Sequence, residues 1–249
     1  MFTQEIQSFL QRHNYMTVEP KAALIDMDGT LYDSMRFHSR AWHLMCNEAG
    51  IPNREDEFYL YEGRTGASTI NLLFDRTYGH PATEEEIKRL YHRKTELFQQ
   101  IAEIIKMPGA EQLLQFMQQI EMQRILVTGS GQRSLIDRLN HDFPGAFTPA
   151  TMITARDVNH GKPHPEPYQM AMKLAGVLPW QSVVIENAPL GVQAGDAAGA
   201  FTIGITTGPI PRRELEQAGA ALVFDSMQEL ADNFPVLIYA LITTSRNLN

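Results

Sequence analysis

Cysteine is nearly absent. Cys46 stands alone, so no disulfide can close within the chain and no thiolate cluster can hold a metal; a reducing compartment fits. Long apolar runs are also missing. The longest, VLIYALI near the C-terminus, falls far short of the roughly 20 residues that span a bilayer. The first residues, MFTQEIQSFLQRHNY, carry early acids and no apolar stretch, which does not fit a secretory leader, and a cytoplasmic location is expected. Basic clusters are absent too. With 21 Lys and Arg against 29 Asp and Glu the net charge is −8, which argues against nucleic acid or an anionic membrane as partner. The eight histidines include no HExxH pair and no evident triplet, so histidine-bound zinc is not expected.

What is present is an ordinary soluble composition, 43% hydrophobic and 20% charged, over 249 residues, enough for one or two domains. Short apolar runs recur and read as buried parallel strands: AALID (22–26), RILVT (124–128), TMIT (151–154), SVVIE ending at Glu186, and FTIGI (201–205). Between the later ones lie amphipathic stretches such as GAEQLLQFMQQI, QRSLIDRLN and PEPYQMAMKLAG. That alternation predicts an α/β fold, a Rossmann-like parallel sheet with helices on both faces. From about Ser34 to about Ile104 the rhythm breaks and helical patterns take over, the last with acids in its first turn after Thr83. This predicts a core of 1–33 and 105–249 with an inserted helical cap of 34–104, hinged near Leu31–Ser34 and Lys106–Pro108. The first 20 residues have no assigned role, and a monomer is expected.

Ligands of open α/β sheets bind beyond the carboxyl ends of the strands, so the polar residues there should converge. LIDMDGTLYDS offers Asp26 and Asp28, two acids one residue apart with Gly29 turning the chain. Such a pair can divide attack or metal binding from proton transfer; a plain Asp-Gly turn with capping acids is the other reading. In VTGSGQRS, Thr128, the Gly129 amide and the helix start after Gly131 can cradle an anion, or simply make a Gly-rich turn with an N-cap serine. It is not a Walker A loop, and as G-x-G-x-x-S it lacks the third glycine of a dinucleotide fingerprint. Lys162, in GKPHPEP, can neutralise a phosphate or an attacking carboxylate, or stay solvated. His38 and Trp42 share a helix face past the first hinge, read as hinge packing before catalysis. The twelve methionines scatter over core-like positions.

The order Asp-x-Asp, Thr, Lys, Glu-Asn at four successive strand ends resembles the haloacid dehalogenase-like phosphotransferases. DMDGTLYDS, VTGS, GKPHPEP and VIENAPLGVQAGDAAG are similar to its four motifs in order, and FHSRAW (37–42) resembles the first cap helix of its β-phosphoglucomutase-like group. The resemblance implies that Asp26 becomes an aspartyl phosphate and that Asp28 is general acid, then base. Thr128 and Lys162 would hold the transferring phosphoryl. Mg²⁺ would be bound by Asp26, the Asp28 carbonyl, Glu186 and Asn187. A hard cation suits oxygen ligands, and it offsets the repulsion between a carboxylate and an anionic phosphorus.

Asn187 stands where that family usually has Asp, so one negative charge is missing. In YEGRTGAST (61–69) of the cap, Glu62 can supply it by binding the metal in a closed state, or can be a solvated loop acid. A cap acid reaches the ion only over a small leaving group. The segment resembles the group's bacterial inorganic pyrophosphatase branch. The expected function is a Mg²⁺-dependent phosphohydrolase with pyrophosphate favoured. A β-phosphoglucomutase or a phosphatase of sugar phosphates or small phosphomonoesters is the alternative. A non-catalytic phosphate-binding module would follow if Asn187 disables the metal site, and a dinucleotide-binding oxidoreductase is a distant rival. Gly129, Ser130, Gln132, Arg64, Lys94 and His38 are candidate phosphate or substrate contacts.

Overall fold

The computed structural model describes residues 1–103, 105–130 and 133–246, with the side chains of 133–137 excepted. After helix α1 (Thr3–His13), strand β1 (Ala22–Ile25) enters the centre of the molecule with all four residues buried. Four helices precede the next strand, and the first three form the insertion: α2 (Met35–Glu48), α3 (Gly66–Tyr78) and α4 (Glu84–Ile101). The chain continues through α5 (Ala110–Gln119), β2 (Gln123–Val127), α6 (Arg133–Asp142), β3 (Met152–Ile153) and α7 (Glu166–Ala175). It ends with β4 (Ser182–Glu186), α8 (Pro189–Ala197), β5 (Phe201–Ile205), α9 (Arg212–Gln217), β6 (Leu222–Phe224) and α10 (Met227–Thr243).

Every strand pair is parallel, in the order β3-β2-β1-β4-β5-β6. The fold is therefore the α/β sheet that the alternating apolar runs predict. The strand order reverses direction between β1 and β4, and a crevice opens beyond the carboxyl ends of these neighbours. Ile25 pairs with Ile185 at that end, so Asp26 and Glu186 leave adjacent strands side by side. That register, more than any single loop, locates the site.

Helices α2, α3 and α4 fill the interval between the two chain crossings. Thr83 and Glu86 make a reciprocal capping box at the start of α4: the Glu86 amide donates to Thr83 Oγ1 at 3.2 Å and the Thr83 amide to Glu86 Oε2 at 2.8 Å. The two chain crossings run side by side, with the Asp33 amide donating to the Ile105 carbonyl at 2.9 Å and the Met107 amide to Leu31 at 2.8 Å. Among the described residues, no helix is long and apolar enough to cross a membrane.

Several elements were not anticipated, among them the short helix α9. Strand β6 is only three residues long and extends the sheet beyond β5. Helix α10 absorbs the VLIYALI run into an amphipathic surface helix. Helix α1 gives the first residues a structural task, because Ile6, Phe9 and Leu10 are buried and the Phe9 ring meets Phe201 of β5 edge-on at 5.0 Å. The expected third strand, TMIT, shrinks to Met152–Ile153 because 149–151 form a short helical turn. Truncation of a buried aromatic ring leaves a cavity, so Phe9→Ala should lower the unfolding free energy by about 3–5 kcal/mol in urea denaturation. An unchanged midpoint would mean that α1 is not part of the cooperative unit.

Candidate active site

Four strand ends and one loop of the insertion meet over β1 and β4. At their centre the Lys162 ammonium donates to Asp26 Oδ1 at 2.5 Å, Glu186 Oε1 at 2.6 Å and the Val127 carbonyl at 3.1 Å. All three of its protons are engaged, and Lys162 and Glu186 are only 2% and 1% exposed. Burial alone would push this lysine down, but the two carboxylates overcome it and hold it well above its ordinary value. Glu186 is saturated as well. Its Oε1 also accepts the Tyr168 hydroxyl at 2.9 Å, and its Oε2 accepts the Asn187 and Ala188 amides at 3.0 and 3.1 Å. With four acceptor sites used, this carboxylate anchors Lys162, and the ligand role expected for it would require one of these donors to give way.

Asp28 is held differently. Its Oδ1 accepts from Ser34 Oγ at 2.6 Å and from His38 Nε2 at 3.0 Å, and Lys94 Nζ lies 2.7 Å from His38 Nδ1. The chain Lys94–His38–Asp28 fixes the imidazole with its Nε2 proton toward the carboxylate. Burial pushes the Asp28 carboxyl up, but His38, Ser34 and Lys94 together bring it below the ordinary range. Burial and the neighbouring Lys94 lower His38, against the pull of Asp28. Burial pushes Lys94 down to about 7, with Asp28 opposing. His38 is thus a member of the polar site, not hinge packing alone, although its ring also stacks on Phe98 at 4.1 Å.

The loop between α2 and α3 lies directly over the strand ends. Asn187 Nδ2 donates to Glu62 Oε2 at 3.1 Å, so the cap acid and the amide of the fourth motif do meet. The approach depends on glycines. A Cβ at Gly29, whose φ is +82°, would stand 2.0 Å from Asn187 Nδ2, and one at Gly129 would stand 2.8 Å from the Gly63 carbonyl. Asp26, Asp28, His38, Glu62, Arg64 and Lys94 line a cavity of about 70 Å³, with Thr128, Gly129 and Ser130 on its floor. Thr128 is buried and its Oγ1 accepts the Ser130 amide at 2.9 Å. Gln132 lies outside the described residues.

Two buried oxygens here, Asp26 Oδ2 and Glu62 Oε1, have no hydrogen-bond partner among the described residues. Burial and mutual repulsion drive both carboxyls well above their ordinary values: Glu186 and Asp28 act on Asp26, and all three of these acids act on Glu62. A divalent cation would relieve the mutual repulsion that drives Asp26 and Glu62 up. Hard oxygen donors with unsatisfied lone pairs fit Mg²⁺. Asn187 turns its nitrogen to Glu62 in this arrangement, and half a rotation of the amide would offer its oxygen instead.

Residues 23–205 match the haloacid dehalogenase-like hydrolase model, and the chain belongs to that family. Hexitol phosphatase A of Escherichia coli is 29% identical over 84% of this chain and 93% of its own. A solved structure from Bacteroides vulgatus, provisionally named a beta-phosphoglucomutase, shares 48% identity at a TM-score of 0.93 over 97% of this chain and 98% of that one. Beta-phosphoglucomutase from Clostridium difficile shares 25% identity at a TM-score of 0.75 over 88% and 97%. The chain is thus a β-phosphoglucomutase-like member of the family and an enzyme of phosphatase or mutase type, which sets aside the oxidoreductase and the non-catalytic module.

Ser34 and Tyr168 escaped the sequence reading. Ser34 looks like a helix cap and Tyr168 like one more apolar position on α7; only the register of β1 against β4 reveals their targets. Lys94 supplies a test. Its proton is bound between pH 7 and about 10.5 in the unfolded chain but not in the folded one, so stability due to this group rises with pH across that window. In chelator and phosphate-free buffer, the stability of wild type relative to Lys94→Met should climb by roughly 1 kcal/mol per pH unit from 7 to 9. A flat or falling difference in urea titrations would place a charged lysine in the cleft.

Proposed function

We propose that the chain is a Mg²⁺-dependent phosphohydrolase that cleaves inorganic pyrophosphate through an aspartyl phosphate on Asp26. The observation that carries this reading is Glu62: an acid of the inserted loop lies 3.1 Å from Asn187, with one buried unpartnered oxygen, over a cavity of about 70 Å³. That volume is far below the several hundred Å³ usual for organic ligands, and it suits a second phosphate better than a hexose. Mg²⁺ would be held by Asp26, the Asp28 carbonyl, Glu62 and Asn187, with Glu186 adjoining through Lys162. When bound, it would neutralise charge on the two anions that must meet.

In this reading a carboxylate oxygen of Asp26 attacks phosphorus, and the bond to the bridging oxygen breaks. Lys162 and Thr128 hold the transferring phosphoryl; Arg64, whose Nε is buried without a partner, faces the leaving phosphate. Asp28 then takes a proton from the water that attacks the phosphoenzyme, releasing phosphate and restoring Asp26. The depressed Asp28 carboxyl supports this assignment. Inorganic phosphate is a far weaker base than a sugar alkoxide, so it departs with less help from an acid, whereas the alkoxide needs the proton. The helical insertion, taken as a cap of 34–104, would open to admit substrate and close to exclude water.

One observation favours a second reading, a phosphatase or mutase of small sugar phosphates. Trp42, Phe58, Tyr61 and Tyr91 line the outer part of the cavity, and aromatic faces stack on sugar rings. The hexitol phosphatase relative points the same way. Phosphate release with Mg²⁺ decides between them. Pyrophosphate should turn over faster than hexose phosphates or small phosphomonoesters, Asp26→Asn should abolish every activity, and Glu62→Ala should cut pyrophosphate cleavage roughly 10- to 100-fold. Equal loss on monoesters, or none, would move the assignment to the sugar phosphates.

A further inference from the structure

The loop that delivers Lys162 carries a second set of donor atoms on its outer side. His160 and His164 flank the lysine, two residues away on each side, and Glu166 opens α7. The two imidazole rings lie 4.7 Å apart, centre to centre. His160 Nδ1 is 2.8 Å and His164 Nδ1 3.9 Å from the same oxygen, Glu166 Oε2. One donor atom from each of the three falls within 4.8 Å of the others. In a tetrahedral zinc site with bonds of about 2.0–2.1 Å, neighbouring donors stand roughly 3.3 Å apart, and the observed separations bracket that value.

The support is already built. The Asn159 amide donates to Glu166 Oε1 at 2.8 Å and the His160 amide to Oε2 at 3.1 Å, so the carboxylate is fixed by its own loop. The histidine side chains are 67% and 51% exposed, free to make the last ångström of adjustment from solvent. His164 Nδ1 receives the Glu166 amide at 3.2 Å, and that lone pair can turn to an ion. Two imidazoles and a carboxylate prefer a borderline cation of the zinc class, whereas the all-oxygen cleft prefers Mg²⁺. No HExxH pattern is present, but His160 and His164 stand at the H-x3-H spacing common among zinc ligands. The turn around Lys162 and Pro163 brings the two histidines back over the start of α7.

We infer that His160, His164 and Glu166 form a second metal site, for Zn²⁺ or a cation of like chemistry, on the outer face of the Lys162 loop and separate from the acidic cleft. The proton that His160 Nδ1 shares with Glu166 moves to Nε2, the ion takes its place, and water completes the fourth position. An ion there ties both arms of the turn to α7 and restrains the segment that holds Lys162 against Asp26 and Glu186.

Calorimetric titration of the tag-free, chelator-stripped full chain with ZnCl₂ in saturating Mg²⁺ tests this. Wild type should take up one Zn²⁺ per chain, and His160→Ala/His164→Ala should bind at least about tenfold more weakly. Glu62→Ala, which alters only the acidic cleft, should keep the wild-type stoichiometry and affinity. Equal melting temperatures in chelator would show that the double variant folds. No uptake by wild type, unchanged uptake by the double variant, or uptake lost in Glu62→Ala alone would overturn the site, the last by placing the ion in the cleft. None of these outcomes depends on which phosphate ester is cleaved.

Discussion

The site is organised by one buried ammonium. Lys162 lies between the carboxylates of Asp26 and Glu186, which sit at the ends of adjacent parallel strands, and it has no solvent to share. Removing one partner of such a cluster leaves an uncompensated buried charge and typically costs about 3–5 kcal/mol. The rest of the neighbourhood serves that constraint. Glu186 receives two amides at the start of α8, where the helix dipole favours an anion, and Tyr168 from α7. Gly191 leaves the room: a Cβ there would stand 1.8 Å from Glu186 Oε1. The lysine thereby has a fixed address, and one oxygen of Asp26 has no partner among the described residues.

Asp28, two residues from Asp26, answers to a different set of neighbours. Ser34 comes from the first chain crossing, His38 from α2 and Lys94 from α4, so the groups that lower Asp28 belong to the insertion or its root. Asp26 answers to the sheet and its loops. Two carboxyls one residue apart are therefore pushed in opposite directions by two different parts of the molecule. In the proposed reading, that division would let a single Asp-x-Asp motif hold two roles, with the proton affinity of Asp28 tied to residues of the insertion.

How much of this is visible in the sequence follows from what each feature depends on. The strands of the sheet centre and the Thr83 cap are local patterns, and they appear as read. The convergence of Asp26, Thr128, Lys162 and Glu186 follows from parallel topology, which places strand ends together whatever the loops do. What escaped depends on register or on chain reversal. Glu186 looks like a ligand in sequence, and only the count of its acceptor sites makes it an anchor. His38 sits on a face shared with Trp42 and reads as packing until α4 brings Lys94 against it. Strand β6 is too short for alternation to register, and α1 has a periodic face whose partner, Phe201, lies almost the whole chain away.

Asn187 shows why a missing charge can be an asset. An aspartate in its place would put two carboxylates about 3 Å apart across the seam between sheet and insertion, a distance at which both do not ionise together. The loop bearing Glu62 would be driven off whenever the cleft held no cation. The amide avoids that conflict because it can donate as well as accept. Its nitrogen latches Glu62 at 3.1 Å, and its oxygen is the atom that a hard cation would take. In the proposed reading, the charge that Asn187 does not carry at the strand end is supplied from the far side of the seam by Glu62. Such a site would be complete only with insertion and sheet together, so the amide at 187 and the acid at 62 would be two halves of one arrangement.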